Sequence, residues 1–323
     1  MTALANDRTP AVRNPEALSG LAFAVLSAAS FGLSGALARG LLDTGWTPGA
    51  VTLLRIAIAT LTVLPFGVLA MRGRWHLLRP HLRTVAVYGV VAVAVPQFAY
   101  FSAVAHMPVA PALLIEFTAP AAVVVFLWLR RGERPGRLTV AGAVVAALGL
   151  LLVLDVLSGV GLSLVGVAWA VMAMLGCATY FLMSGDDSNT LPPIALAAGG
   201  MLVAAVSLGL LGLVGLLDMG AESVDVDLAG ASVPWWVPIV LLGVVTAAVS
   251  YVAGIAAIRR LGSRLASFVA LLEVVSGVLW AWFLLDELPH AVQLLGGVLI
   301  LAGVVGVKLG ERAVAEAPAP ALV

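Results

Sequence analysis

The 323-residue sequence is short of charge. Asp, Glu, Lys and Arg together make up 11% of it, whereas 62% is hydrophobic, and the mean hydropathy is +1.11. A chain of this length needs far more charge than that to cover a water-facing surface, so a soluble globular protein is excluded. Cysteine is nearly absent: Cys177 stands alone inside an apolar run, which removes a disulfide framework and any cysteine-based metal cluster. There is no GxxxxGK[ST] loop, HExxH pair or GxSxG elbow, and no nucleophile–base pair stands out. ATP hydrolysis and hydrolytic chemistry therefore lack support, and an enzyme is not expected. No cofactor, metal or nucleic-acid partner is implied. Lysine is scarce too, Lys308 being the only one beside many arginines, and with the excess of Ala, Val, Leu and Gly this points to a GC-rich bacterial source.

What the sequence does have is apolar runs of about 20 residues, the length that crosses ~30 Å of hydrocarbon at ~1.5 Å per residue. Broken at Pro, Gly and charge, they fall at about 17–38, 49–70, 84–105, 109–129, 138–154, 164–184, 193–217, 235–257, 264–285 and 290–308. The first run is too long for a signal-peptide core and is expected to stay as a membrane span. The polar stretch 1–16, with Pro10 and Pro15, and the stretch 311–323 are expected to be disordered tails.

Basic residues give the spans a direction. With the N-terminus inside, the cytoplasmic segments hold Arg8, Arg13, Arg72, Arg74, Arg79, Arg83, Arg130, Arg131, Arg134, Arg137, Arg259, Arg260, Arg264, Lys308 and Arg312, that is, fifteen of the 17 Lys and Arg. Arg39 is expected in an outer loop and Arg55 within a span. The outer loops instead carry Asp43, Asp155, Asp218, Glu222, Asp225, Asp227, Asp286 and Glu287. The expectation is ten transmembrane helices with both termini cytoplasmic, in a bacterial inner membrane.

The sequence also repeats itself. At a shift of 154 residues "VVVFLWLRRGERPGRLTVAGAVVAALG" lies over "GVLWAWFLLDELPHAVQLLGGVLILAG", bringing Glu133 to Glu287, Gly142 to Gly296 and Gly149 to Gly303. At a shift of 146, "GLAFAV" from Gly20 meets "GVAWAV" from Gly166. The two copies, 17–155 and 164–310, each hold five spans. Five is odd, so they cross the bilayer in opposite directions, the inverted repeat of secondary transporters that alternate access around a midplane site.

These features resemble the EamA group of the drug/metabolite transporter superfamily. The resemblance is carried by the two repeats and the helix-end motifs "RGERPGRLTVAGAVVAALGLLLV" and "LDELPHAVQLLGGVLILAGVVGV". The stretch "PVAPALLIEFTAPAAVV" is similar to the branch containing amino-acid and metabolite exporters, whereas "LEVVSG" has Val274 where a proline is common. The resemblance implies an all-α, gradient-driven permease, often an exporter, whose partners are the lipid bilayer, a small-molecule substrate and protons. A homodimer is compatible with it.

Candidate site residues follow from what does not belong in lipid. Glu116 sits about 10 Å into the membrane at helical rise, where a carboxylate costs ~2.5–3.5 kcal/mol on insertion scales. It is relieved by protonation or by a wet cavity with a cationic partner. Pro120 has no N–H for the carbonyl of residue 116, so a freed carbonyl and a carboxyl share one depth, a plausible ammonium site. The alternative is a neutral Glu bonded to a neighbouring helix. Glu273 is the second intramembrane acid, and the repeat places it opposite Ala119, one turn from Glu116. Arg55 grips a substrate carboxylate or neutralises Glu116, or else it snorkels to the outer interface or pairs with Asp43. Pro96, taken as a helix break, Gln97 and Tyr100 lie over Ser250, Tyr251 and Gly254, and these polar groups either orient a solute or bond between helices. Ser34, Ser30 and Tyr180 are weaker candidates. His106, Glu133 and Glu287 read as structural, Trp169, Trp280 and Trp282 as packing, and Trp235 and Trp236 as interfacial anchors.

Overall fold

The computed structural model describes residues 15–131, 136–153, 163–184, 190–254, 256–257, 260 and 271–315. Helices α1 (Pro15–Asp43) and α2 (Pro48–Ala70) come first. The run α3 (Trp75–His106) follows, then a divided helix, α4a (Val109–Glu116) and α4b (Ala119–Arg131). Next are α5 (Arg137–Val153), α6 (Leu164–Ser184) and α7 (Pro193–Leu213). A small hairpin of β1 (Val226–Leu228) and β2 (Ala231–Val233) leads to α8 (Trp236–Gly254), α9 (Leu272–Leu285) and α10 (Ala291–Ala315). Among the described residues, 6 helices are long and apolar enough to cross a membrane: α1, α2, α3, α4, α7 and α8. The apolar helices α5, α6, α9 and α10 have shorter qualifying stretches.

The differences from expectation have local causes. Helix α1 starts at Pro15, and α10 runs on to Ala315 through "GERAVA", so the inner margins of both expected tails are helical; strong helix formers carry the last turns beyond the apolar stretch. The rest of the tails, the start of the ninth segment at 264, and Glu133 lie outside the described residues. Arg39 is not in a loop. It lies within α1, held by Asp43 at 2.9 Å one turn on, and its Nη1 donates to the carbonyl of Val104 at 2.9 Å. Thr47 caps α2 by accepting from the Ala50 N–H, with Pro48 in the first turn.

Packing runs between the two repeats. Helix α5 lies on α10 through glycines: a Cβ on Gly142 would stand 2.6 Å from the Gly303 carbonyl, and one on Gly149 would stand 2.6 Å from the Gly296 carbonyl. Contact at 142/303 and 149/296 means the two helices run antiparallel. The 154-residue shift turns each of these contacts into the other, as a two-fold axis between inverted copies requires. Such small-residue seams let membrane helices approach to backbone distance. The pairs α2/α7, α1/α9 and α3/α6 are the other main contacts, each joining one repeat to the other.

The buried core has two parts. One surrounds the end bearing the hairpin, where Leu37, Leu41, Val51, Phe101, Val104, Val109, Leu113, Leu242 and Val226 pack together. The hairpin closes over it: Ala229 and Gly230 both have positive φ in a two-residue turn, the twist that suits tight hairpins, and the Ala229 N–H donates to the Leu284 carbonyl at 2.8 Å. Trp46 Nε1 donates to the Glu222 carbonyl at 2.7 Å. The other part is confined to α2, α3, α7, α8 and the chain beside them, around Val63, Met71, Tyr88, Leu196 and Met201.

Candidate functional site

Three helices depart from α geometry, two of them at matching places. In α3 a π-helical stretch, Tyr88–Ala94, precedes Pro96; in α8 another, Val244–Val249, precedes Ser250, which the repeat lays over Pro96. Pro96 therefore does not break its helix as expected. The wider π turn absorbs the missing N–H and the bulk of the ring, and such turns gather at functional sites. In α8 the Ser250 hydroxyl donates to the Val245 carbonyl at 3.1 Å, five residues back, where a π turn leaves it within reach.

The third departure is the division of α4. Helix α4a ends at Glu116, Phe117–Thr118 form a turn, and α4b begins at Ala119. The Thr118 hydroxyl donates to the Ile115 carbonyl at 2.7 Å and lies 3.0 Å from the Met174 sulfur of α6, which fixes the turn. The described part of α9 starts at Leu272, the equivalent of Thr118, with Glu273 in its first turn. Non-helical backbone at this depth is tolerated where it lines a cavity or is buried in protein.

Two carboxyls stand at one level here. The Val109 N–H donates to Glu287 Oε2 at 3.1 Å, and a Cβ on Gly277 would meet Leu113 at 2.5 Å. Helices α4a and α9 are thus antiparallel, and Glu116 comes level with Glu273 and Val274. Gly32 permits this from α1, since a side chain there would strike the α9 backbone 2.8 Å from the Glu273 carbonyl. Both side chains are half-buried and neither forms an ion pair among the described residues.

Arg55 is 5% exposed, which removes the snorkelling alternative, and Asp43 is engaged by Arg39 instead. The guanidinium lies 5.3 Å from the centre of the Phe101 ring, a cation–π distance, and its Nη2 donates to the Thr246 carbonyl at 3.4 Å in the π stretch of α8. Its Nε has no partner. Nor do Gln97 Oε1 and Tyr100 OH, and these three make up most of the buried side-chain polar atoms left without a hydrogen bond among the described residues, the fourth being Thr139 Oγ1. An unmet buried polar group costs about 1–3 kcal/mol, and two of the three belong to one face of α3, Gln97 and Tyr100 being one turn apart. Tyr100 is 5% exposed, and its hydroxyl occupies space that any side chain at Gly35 would take.

Of the other expected residues, Tyr251 stacks edge-on against Phe31 at 5.6 Å and Tyr180 lies 6.1 Å from Tyr88. Ser34 and Ser250 are buried, and the Ser250 carbonyl accepts from the Ser27 hydroxyl at 2.9 Å. Trp169 packs on Phe98. Trp280 and Trp282 instead line a lateral groove of about 700 Å³ with Ala29, Ser276, Leu279 and Phe283, outside this cluster. Glu287 is structural, as expected. Reasoning from sequence missed Phe101 and Thr246, an ordinary apolar residue and a backbone acceptor that carry no signal. It also missed Thr118, whose position just before "APA" in a broken span was the available hint.

The comparisons agree with this architecture. The model of the EamA-like transporter family matches residues 18–155 and again 164–309. Two relatives, both described as the pseudopaline exporter CntI, come from Pseudomonas aeruginosa strains UCBPP-PA14 and ATCC 15692 (PAO1). Each is 25% identical over 298 residues, covering 91% of this chain and 97% of its own. One crystal structure matches with a TM-score of 0.58 at 22% identity, over 93% of this chain and 99% of its own, a likeness of fold. With apolar helices in two halves that each match the family model, this multi-pass membrane chain belongs to the EamA-like transporter family, a family of transporters and not of enzymes.

Proposed function

We propose that this protein exports a small polar metabolite such as an amino acid across the bacterial cytoplasmic membrane, by alternating access driven by a proton gradient. In this reading the chain crosses the membrane ten times with both termini in the cytoplasm, and the hairpin end faces outward. Each family match, 18–155 and 164–309, is one inverted half, and a homodimer is not required. Glu116 is the first-choice proton-coupling or ammonium-binding group, with Glu273 beside it. Arg55, Gln97, Tyr100, Tyr251, Ser250, Tyr180 and Ser34 contribute to the lining. The observation that carries the reading is the pair of half-buried carboxyls, Glu116 at the division of α4 and Glu273 in the first turn of α9, neither in an ion pair among the described residues. A carboxyl in such a place exchanges a proton for an amine-bearing solute, which is how the two gradients are linked.

The test is metabolite profiling of medium from cells overexpressing the wild type or Glu116→Gln, with membrane content of each matched. Export of amine-bearing metabolites by the wild type, lost in the variant, supports the reading; equal export by both contradicts it. The surplus of two carboxyls over one guanidinium favours a second reading, efflux of lipophilic cations. Resistance to cationic dyes without amino-acid export would decide for it.

A further inference from the structure

The segment between α7 and α8 holds different helices at its root and at its tip. The root is fastened to α2 and α7. The N–H of Thr47, the cap of α2, donates to the Gly220 carbonyl at 3.0 Å, and its hydroxyl donates to the Asp218 carbonyl at 2.9 Å. Beside it, Trp46 Nε1 donates to the Glu222 carbonyl at 2.7 Å, with the Trp235 ring 5.7 Å away. Met219 lies against α7, 2.6 Å from where a Cβ on Gly212 would stand. The tip reaches α1 and α9 instead. Val226 and Leu228, the inward residues of β1, lie 2.7 and 3.0 Å from where a Cβ on Gly40 would stand. The Ala229 N–H donates to the Leu284 carbonyl in the last turn of α9 at 2.8 Å. With the tip in place, Val226, Val104 and Val109 are fully buried.

Helices α1 and α9 pack on each other, and so do α2 and α7, so the hairpin spans two helix pairs. The tip is the weaker hold: one hydrogen bond and two side chains, against three hydrogen bonds and a ring pair at the root. Backbone strain gathers at the tip as well. Among the described residues, the non-glycine residues with positive φ are Ala229 at 54° and Asp286 at 56°, the second standing two residues past Leu284. Strain of this kind persists only where neighbouring contacts hold it, and it clusters in switch regions.

We propose that the β1–β2 hairpin is a latch on its end of the bundle: the root stays with α2 and α7, and release of the tip from α1 and α9 opens that end. The latch is shut in this structure. It rests on the transporter reading for the use of the opening and not for its existence, so the test needs neither cargo nor gradient.

Full-length Cys177→Ala protein in detergent is followed by hydrogen–deuterium exchange of the segment 104–110, whose Val109 N–H is held by Glu287 Oε2, three residues beyond Leu284. Gly40→Cys with Val226→Cys brings two cysteines within disulfide reach across the tip contact. Oxidising that pair should slow exchange ~10-fold or more, reversibly on reduction. Thr47→Cys with Gly220→Cys ties only the root, where a Cβ on Gly220 would stand 3.1 Å from Thr47 Cγ2, and its oxidation should leave the rate unchanged. Val226→Ala removes two buried methyls from the tip and should speed exchange about 10-fold. Segments around Val63 and Met201, in the other part of the core, should keep wild-type rates throughout. A tip pair that does not oxidise, or oxidises without slowing exchange, overturns the inference. So does a root pair that slows it equally, or a Val226→Ala effect shared by both parts of the core. A working latch in a protein that exports no amine-bearing metabolite would instead overturn the proposed function and leave the latch standing.

Discussion

In the first repeat the positions that face the cluster hold Gln97, Tyr100 and Glu116, with Arg55 joining from α2. In the second, the residues laid over Gln97 and Tyr100 are Tyr251 and Gly254, the acid Glu273 stands opposite Ala119, and α7 carries no charge at all. Away from the cluster the halves agree closely. Gly142 and Gly149 meet Gly303 and Gly296 in two contacts that exchange under the repeat, and both π stretches end just before the matched Pro96 and Ser250. The scaffold is therefore symmetric and the lining is not. Symmetry in the helix seams lets two inverted halves trade conformations.

The comparison is broken most severely at the seam. Gly142→Leu or Gly303→Leu places a side chain where even a Cβ stands 2.5–2.6 Å from the opposite backbone, and a loss of about 3 kcal/mol or more is expected, seen as lost monodisperse protein in detergent. If the seam is symmetric, Gly296→Leu fails to the same degree. In the lining the outcome reverses: Glu116→Gln should remove gradient-driven transport in proteoliposomes while the melting temperature stays close to that of the wild type. Thr118→Val removes the hydroxyl that holds the division of α4 and should lower stability by about 1–2 kcal/mol, measured by denaturation in micelles. The smallest effect belongs to Glu287→Ala, which takes away the acceptor of the Val109 N–H. About 1 kcal/mol is expected, as for other lost helix caps, and Glu287→Gln should recover part of it.

Much of this was legible in the sequence because membrane helices announce themselves by composition. The rough positions of the apolar helices, the proline-linked division after Glu116, and the glycines of α5 and α10 follow from periodicity, backbone chemistry and the 154-residue shift, whereas several helix ends lie some residues from where they were expected. Pro96 was misread because a proline signals a missing N–H without saying whether the helix breaks or widens, and the π stretch that absorbs it depends on packing against α6 and α7. Arg55 was ambiguous for a similar reason. Seven residues from the start of α2, it had reach enough to snorkel, and only the Asp43–Arg39 pair and the Phe101 ring settle where it lies. The partners of Arg55 are a ring and a carbonyl, which no pattern of residue types encodes.

The most direct measurement is water access to the lining. In a Cys177→Ala background, Gln97→Cys would be exposed to a membrane-impermeant thiol reagent in intact cells and in inside-out vesicles. Labelling from at least one face, slowed by transported substrate, is the expected result if Gln97 borders the substrate space as proposed. A thiol at 97 that stays unlabelled from both faces in a folded protein would contradict it, for the carboxyls at 116 and 273 would then sit in a dry seam.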